Sequence, residues 1–203
     1  MNQNDFFHLD DYNNHFFEGH QLSFGWWSRH YEYHWAIRYA QAGQIVADAG
    51  CGYTFRPFKN VLANHCAEVI AIDSNPKLMN LAPFPDNIAP LIASLEDVPL
   101  ADGFFDRIFC ISVIEECNAY ENIINEFARL IKPDGRIVLT FDVIHDAGAP
   151  EHPRWKGLSL TDFLYTIDNA GLDFDGEYYA DKNNALVNLE FNLCVYHCIL
   201  KKR

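Results

Sequence analysis

Basic residues are scarce in this sequence of 203 residues. Lysine and arginine together number 15, against 28 aspartates and glutamates, so that the formal net charge is −13. A protein that neutralises nucleic-acid phosphates needs clustered lysine and arginine. Here the basic residues are scattered, apart from the last three positions. The composition therefore predicts that nucleic acid is not a partner.

Long hydrophobic runs are also missing. No apolar run approaches the ~20 residues that a transmembrane helix needs. The first five residues, MNQND, are neither basic nor apolar, as a secretory signal would require. We therefore expect neither a membrane span nor a signal peptide. The length is sufficient for a substantial core and predicts a single domain over residues 1–203.

Paired cysteines are absent as well. The six cysteines stand in separate segments, and no CxxC pair occurs. This pattern disfavours a zinc site or a redox dithiol. We expect all six cysteines to be reduced and mostly buried, which predicts a cytoplasmic location. For the oligomeric state we expect a monomer or a homodimer.

From residue 44 onward, strand patterns alternate with helix patterns. Strands are predicted at 45–49, 69–73, 89–93, 105–111, 136–142, 173–180 and 189–200, and helices at 55–65, 76–81, 118–131 and 159–170. Such alternation favours an α/β fold with a mostly parallel sheet that helices cover on both faces. The last two strands have no helix between them and predict a closing antiparallel hairpin. The expected fold is a doubly wound, mostly parallel seven-stranded sheet.

The first 43 residues have a different composition, rich in aromatic rings and histidines. Trp27, Tyr31, Trp35 and Tyr39 recur every four residues, which predicts a helix over 28–41. This stripe has two interpretations, because aromatic rings suit both. The helix either packs on the core or forms a lid over a ligand pocket. Residues 1–43 are thus expected to be an N-terminal helical cap or lid, and residues 44–203 the core.

The most informative stretch joins the first core strand to the helix after it. The run Ile45–Ala49 carries one acid, Asp48, and Gly50 and Gly52 follow directly. A second apolar run ends in Asp73, 21 positions after Gly52. An acid that binds ribose is expected about 20 residues after such a glycine turn. The pattern therefore predicts a cofactor that contains adenosine.

Two residues discriminate between the possible adenosine cofactors. Phe55 stands where a dinucleotide-binding turn prefers glycine or alanine, and a bulky ring there would obstruct helix–strand packing. Asp48 precedes the turn, where a carboxylate suits a cationic ligand better than a pyrophosphate. S-adenosylmethionine carries an ammonium and a sulfonium and has no phosphate. The residues therefore favour S-adenosylmethionine over NAD.

From residue 45 to the C-terminus, the chain resembles the class I S-adenosylmethionine-dependent methyltransferases. Four stretches carry the resemblance in the family's order: VADAGCG (46–52), VIAIDSNP (69–76), ASLEDVPLADGFFD (93–106) and FARLIKPDGRIVL (127–139). The stretch GWWSRHYEYHWAI (25–37) is similar to the lead-in of small-molecule or saccharide-pathway methyltransferases.

The resemblance implies a set of cofactor contacts. Asp73 would accept both ribose hydroxyls, since a carboxylate matches a vicinal diol with two charge-assisted hydrogen bonds. The remaining cofactor-binding residues would be Asp48, Gly50, Cys51, Gly52, Ile111 and Ser112 around the methionine end and the turn, and Ser74, Ser94 and Leu95 around the adenosine. In the N-terminal segment, outside the resemblance, Arg29 is a further candidate that could pair with the methionine carboxylate, and a surface ion pair is the alternative.

The acceptor side is less defined. Methyl transfer is an in-line displacement that needs alignment of the acceptor, and some acceptors also need a general base. His145, near the end of the fifth core strand, and Glu115, after the fourth, are the catalytic candidates. His152 is a third histidine of suitable type, although a surface-loop role is the alternative for both histidines. The spacing of Asp146 and Glu151 with the two histidines is too irregular to predict a metal site.

The resemblance thus implies an enzyme that methylates a small molecule on oxygen, nitrogen or carbon, in a saccharide or secondary-metabolite pathway. A second hypothesis is a non-catalytic protein that retains the fold and binds S-adenosylmethionine or a partner. An NAD-dependent oxidoreductase is a third, which Phe55 and Asp48 disfavour.

Overall fold

The computed structural model describes residues 3–12, 14–54, 57–148 and 157–203. Its strands are β1 (Asp5–Phe6), β2 (Phe16–Phe17), β3 (His20–Gln21), β4 (Ile45–Ala49), β5 (Glu68–Asp73), β6 (Ile88–Ile92), β7 (Phe105–Ile111), β8 (Ile131–Ile144), β9 (Leu172–Phe174), β10 (Val187–Asn188) and β11 (Leu193–Lys202). The α-helices are α1 (Arg29–Ala36), α2 (Phe58–His65), α3 (Tyr120–Leu130) and α4 (Leu160–Asn169). Short 3₁₀ helices cover Leu9–Asp11, Ile37–Tyr39, Pro76–Leu81 and Ile114–Glu116.

The strands form a mostly parallel sheet, which confirms the predicted fold class. Its order is β1-β11-β8-β7-β4-β5-β6, with β9 and β10 also paired to β11. The five strands from β8 to β6 are parallel, and β11 pairs antiparallel with β8. The seven predicted strands correspond to β4–β9 and β11. The two-residue strands β1 and β10 bring the described sheet to nine.

Apolar cores lie on both faces of this sheet, because alternate residues of each strand point to opposite faces. Ala47 of β4 packs in one core with α3 and α4, through residues such as Phe127 and Phe163. Its neighbour Val46 packs in the other core with α1 and α2, through Trp35 and Phe58. The carboxyl ends of the parallel strands are therefore held between two packed layers.

The end of the chain differs from the predicted hairpin. The strand predicted at 173–180 stops at Phe174, because Gly176 adopts a φ of 107° and turns the chain toward the N-terminal segment. Tyr179 N there donates to Asn4 O at 3.0 Å. The strand predicted from 189 begins at Leu193, after Asn192 with a φ of 55°. β9 pairs antiparallel with β11, as expected for the two closing strands.

Residues 132–135, which contain a proline and a glycine, form a turn inside β8 as a bulge. Phe105 pairs with Ile131 and Arg107 with Arg136, so four residues of β8 stand opposite a single residue of β7. The strand therefore begins earlier than the predicted residue 136, and the bulge accommodates the proline and glycine of the turn.

The N-terminal segment contains strands as well as a helix. β1 pairs antiparallel with β11, and β2 pairs with β3. Tyr31 and Trp35 of the aromatic stripe are buried, whereas Trp27 and Tyr39 are half-buried. This burial agrees with the interpretation that α1 packs on the core.

Each helix within the described ranges is too short or too polar to cross a lipid bilayer.

Candidate functional site

The glycine turn follows β4 at the carboxyl edge of the sheet. Gly50 and Gly52 have φ values of 72° and 75°, in the left-handed region that favours glycine. The backbone N–H groups of Gly50 and Cys51 both donate to Ile72 O, at 2.8 and 3.0 Å. A Cβ on Gly50 would lie only 2.5 Å from Cγ1 of Val113. The close approach of Val113 and the positive φ therefore both require glycine at position 50.

Asp73, at the end of β5, is fixed by this turn. Its Oδ2 accepts from the backbone N–H of Gly52 at 2.9 Å, and its Oδ1 accepts from the N–H of Asn75 at 2.8 Å. Each carboxylate oxygen can accept more than one hydrogen bond. The two oxygens are thus held in place and can still accept from two hydroxyl groups of a ligand.

A cavity of about 270 Å³ opens beside Asp73. Five predicted cofactor-binding residues line it: Gly50, Asp73, Ser74, Ser94 and Leu95. Five further lining residues were not predicted: Glu96, Val113, Cys117, Asn118 and Ile123. The last four belong to the segment from the end of β7 into α3. Their position after a core strand was the one available sequence signal.

A narrower cavity of about 10 Å³ shares Gly50 with the first. The predicted residues Asp48, Cys51 and Ile111 line it, together with Tyr33 of α1 and Phe58 of α2. The rings of Tyr33 and Phe58 stack at a centroid distance of 4.9 Å. Burial raises the pKa of the Cys51 thiol, so the thiol is neutral at physiological pH. Eight predicted cofactor-binding residues thus line two adjoining cavities, and Gly52 contacts one of them, Asp73, through its backbone N–H.

Arg29 and Ser112 meet at a buried carboxylate that was not predicted, Glu32. The Arg29 guanidinium pairs with Oε2 of Glu32, and the Thr140 hydroxyl donates to Oε1 at 2.6 Å. The Ser112 hydroxyl donates to the same Oε1, and Ser28 Oγ donates to Oε2 at 3.0 Å. Burial alone would lower the pKa of Arg29, but the charges of Glu32, Tyr33 and Glu115, together with the hydrogen bond to Glu32, outweigh burial and raise that pKa. This network ties α1 to the carboxyl ends of β7 and β8.

Glu115 and Asp142 are two further buried acids, and they lie beside this network. Their exposed fractions are 3% and 8%. Glu115 Oε1 accepts from the backbone N–H of Asp142 at 3.3 Å. Burial, followed by the charge of Asp142, raises the pKa of Glu115 well above its ordinary value. Burial and the charge of Glu32 raise the pKa of Asp142 to about 7.

His145, the other catalytic candidate, lies just beyond the end of β8. Its backbone N–H donates to Asn192 O at 3.0 Å, and its carbonyl accepts from Lys182 Nζ at 3.4 Å. These contacts point to the β11 side of the sheet edge, and its Nδ1 has no hydrogen-bond partner in the structure. His152 and Phe55, which the sequence also singles out, lie outside the described residues. Within the described ranges, no group of three or more His, Cys, Asp or Glu side chains could hold a metal ion.

Comparison with known proteins bears on what this edge of the sheet binds. A family model described as a methyltransferase domain matches residues 47–139. Those residues span β4 to β8 and include the glycine turn, Asp73 and Ser94. Of the solved structures, an S-adenosylmethionine-dependent methyltransferase from Mesorhizobium loti is similar with a TM-score of 0.63 and 16% identity. The similarity covers 84% of this chain and 98% of that one.

Residues 47–139 of this chain form a methyltransferase domain.

Other relatives show how far the likeness extends. The ubiquinone biosynthesis O-methyltransferase of Xanthomonas oryzae pv. oryzae is 31% identical over 105 residues, which cover 49% of this chain and 43% of that protein. The chain thus matches less than half the length of this curated relative. A solved structure described as the [4+2]-cyclase SpnF has a TM-score of 0.70 at 14% identity, covering 84% of this chain and 79% of that one. At such identities, the structural likeness concerns the fold.

S-adenosylmethionine is the cofactor of this domain class, and the methyltransferase domain fits it in two respects. Asp73 presents two fixed carboxylate oxygens to the larger cavity, as a ribose diol requires. The described lining of both cavities contains the acids Asp48, Asp73 and Glu96 and no lysine or arginine. This lining suits a cationic ligand without phosphate groups. Arg29, Glu32 and Asp142 lie outside the matched residues 47–139.

Proposed function

We propose that this protein transfers the methyl group of S-adenosylmethionine to a small-molecule acceptor. The observation that carries the proposal is Asp73, whose two oxygens are fixed at 2.9 and 2.8 Å by backbone N–H groups at the rim of the 270 Å³ cavity. A carboxylate held in this way is prepared for a ribose diol. It would repel a phosphate placed at the same point.

The proposed cofactor contacts follow the two cavities. Asp73 holds the ribose. The larger cavity takes the adenosine, against Ser74, Ser94 and Leu95. The methionine end extends from it toward the narrower cavity, along Asp48, Gly50, Cys51, Gly52, Ile111 and Ser112. The Ser94 hydroxyl already accepts from Glu96 N at 3.2 Å and has capacity for a further hydrogen bond to the adenine amino group.

Arg29 is proposed to lie near the methionine carboxylate of the cofactor. One of its amino groups pairs with Glu32, and the other lies 3.4 Å from Ser112 O. The guanidinium is therefore fixed at the end of β7, close to the predicted methionine side. Residues 1–43 are proposed as a cap over this end of the core, which comprises residues 44–203.

When bound, S-adenosylmethionine supplies an electrophilic methyl group on its sulfonium. The residues of this chain bind the cofactor, exclude water and align the acceptor, and alignment provides a large share of the rate in such displacements. Glu115 and His145 are the proposed acceptor-side residues. Glu115 has the stronger case, because it contacts Asp142 and lies in the same turn as Val113, which lines the cofactor cavity.

Calorimetric titration tests the proposal. S-adenosylmethionine and S-adenosylhomocysteine should bind to the protein, and NADH should not. Binding of NADH without binding of the two sulfur compounds would contradict the proposed function.

A second candidate is a protein that binds S-adenosylmethionine without transferring its methyl group. One observation supports this candidate: a solved structure of similar fold is described as a cyclase. Incubation with S-adenosylmethionine labelled in its methyl group, together with pooled small-molecule amines, phenols and sugars, separates the two. Transfer of label supports the enzyme, whereas binding without transfer to any pool supports the second candidate.

A further inference from the structure

Glu115 and Asp142 are two buried carboxyl groups whose outer oxygens lack partners. Oε2 of Glu115 and Oδ1 of Asp142 are both buried, and neither has a hydrogen-bond partner among the residues that the structure describes. Buried polar groups in proteins are nearly always hydrogen-bonded, so each exception requires an explanation. Two such atoms on neighbouring acids indicate a group that the pair is built to receive.

The charges that face this pair do not neutralise it. From α1, Arg29 faces both acids, but it is paired with Glu32. Further groups face the pair from the other packed elements: Glu116 from the adjacent turn, Cys110 from β7, Cys117 after that turn, and Cys194 from β11, with Lys182 near Cys194. The three thiols have raised pKa values because of burial and are neutral. Among the described residues, the pair therefore lacks a cation of its own.

The position of the pair corresponds to the acceptor side of the cofactor site. Ile111, which lines the methionine cavity, pairs in register with Thr140 of β8. Asp142 lies two residues after Thr140 in β8. It is therefore about 7 Å further along the strand than Thr140 and on the same face. Asp142 also retains an exposed fraction of 8%. A group that approaches the sulfonium from beyond the strand ends would pass this carboxylate.

We propose that Glu115 and Asp142 bind the ammonium group of an amine acceptor and that Asp142 takes one proton from it before methyl transfer. This inference rests on the proposed function and specifies its substrate class. The N–H groups of the ammonium donate to the two unpartnered oxygens, and its charge compensates the pair.

One N–H bond of the ammonium breaks, the proton joins a carboxylate oxygen of Asp142, and the nitrogen keeps the electron pair. That pair forms the new N–C bond to the methyl carbon, while the S–C bond breaks and its electrons stay on sulfur. The products are a methylated ammonium and S-adenosylhomocysteine, and the proton on Asp142 later returns to solvent. No oxidant or reductant is needed.

Sinefungin is the probe for this inference, because an amine-bearing carbon replaces its methyl-sulfonium group. Its affinity is compared with that of S-adenosylhomocysteine by calorimetry at pH 7.5, for the wild-type protein, Glu115→Gln, Asp142→Asn and Glu116→Gln. Glu116 is the matched control, since it is the exposed neighbour of Glu115 and the substitution removes the same charge. Titrations in two buffers of different ionisation enthalpy also give the number of protons released on binding.

The wild-type protein and Glu116→Gln should bind sinefungin about tenfold more tightly than S-adenosylhomocysteine, as hydrogen bonds to charged groups allow. Both should release protons, because the ammonium favours the ionised pair. Glu115→Gln and Asp142→Asn should each lose most of the preference, while their affinity for S-adenosylhomocysteine, which also reports that they fold, stays unchanged. Either variant is sufficient if the other does not fold.

An equal preference for sinefungin in all four proteins would overturn the subsite. If the two variants lose the preference but release as many protons as the wild-type protein, the proposed proton transfer to Asp142 is wrong. If the wild-type protein binds neither compound, the proposed cofactor site itself is wrong, which is a distinct result.

Discussion

Gly50 joins the fold to the cofactor site at the scale of a single residue. Its φ of 72° is unfavourable for any residue with a side chain. A Cβ at this position would also lie only 2.5 Å from Cγ1 of Val113. Gly171 offers a matched comparison, because its φ is 69° and a Cβ on it would meet nothing within 4 Å.

Replacing Gly50 by alanine should therefore lower the free energy of unfolding by about 3 kcal/mol, the sum of a left-handed backbone and an overpacked contact. Gly171→Ala should cost about 1–2 kcal/mol, since only the backbone contributes. Urea unfolding of both variants measures the difference. Equal losses would mean that Val113 moves aside without cost.

Asp142 predicts a pH dependence of stability. A carboxyl group whose pKa is higher in the folded than in the unfolded state destabilises the fold as pH rises. For Asp142 the cost should develop between its unfolded pKa of about 3.9 and its folded value of about 7, and be complete above it. Glu115 contributes in the same direction, because its pKa is also raised.

The wild-type protein should therefore lose stability relative to Asp142→Asn as pH rises from about 4 to about 7, by at most about 1.4 kcal/mol per pH unit for one proton. Chemical unfolding at several pH values gives the difference curve, with Glu121→Gln, which removes an exposed acid of α3, as a control that should follow the wild-type protein. Parallel curves for wild type and Asp142→Asn would contradict the raised pKa.

At the scale of elements, the placement of α1 depends on Glu32. This residue is fully buried and receives hydrogen bonds from β7 and β8 as well as from its own helix. Glu32→Gln removes the ion-pair partner of Arg29, whose side chain is only 14% exposed, and should cost about 3–5 kcal/mol of stability. Glu121→Gln, on the exposed side of α3, should change stability by less than about 0.5 kcal/mol. Thermal unfolding of both variants tests this, and a loss below about 1 kcal/mol for Glu32→Gln would show that α1 is held by other contacts.

The segment that follows β1 is also predicted to be part of the core. The fully buried ring of Phe7 lies 4.4 Å from His197, 6.0 Å from Tyr31 and 6.1 Å from Trp35, measured between ring centroids. Phe7→Ala should therefore cost about 3–5 kcal/mol. Phe24, with 71% of its surface exposed, provides the control, and its alanine variant should stay within about 0.5 kcal/mol of wild type. A small effect of Phe7→Ala in calorimetric unfolding would mean that residues 1–43 open without the rest.

The elements that could be predicted from sequence are those with strong local patterns. β4 and β7 have the predicted bounds, because each is an apolar run that ends at a polar or glycine-rich turn. β1 could not be predicted, since a two-residue strand exists only through its partner β11, nearly 200 positions away in the chain. The early end of β9 likewise depends on the contact between Tyr179 and Asn4.

At the scale of the whole molecule, one half of the site could be predicted from local sequence patterns and the other half could not. The glycine turn and Asp73 belong to a motif of fixed spacing, so the sequence alone predicted them. The hydrogen-bond network around Glu32 joins residues that lie far apart in the sequence, because Glu32 contacts Ser112 and Thr140 at separations of 80 and 108 positions. Burial, which gives Asp142 and Glu115 their unusual protonation, is a property of the folded protein and has no local sequence signal.

In the proposed function, Asp73 and the glycine turn hold the ribose of S-adenosylmethionine. Titration of wild type and Asp73→Ala with S-adenosylhomocysteine tests it most directly. The wild-type protein should bind, and the variant should bind more weakly by about 1.5–3 kcal/mol, the range for hydrogen bonds to a charged group. Equal affinities in a folded variant would contradict the claim, because the ribose would then be held elsewhere.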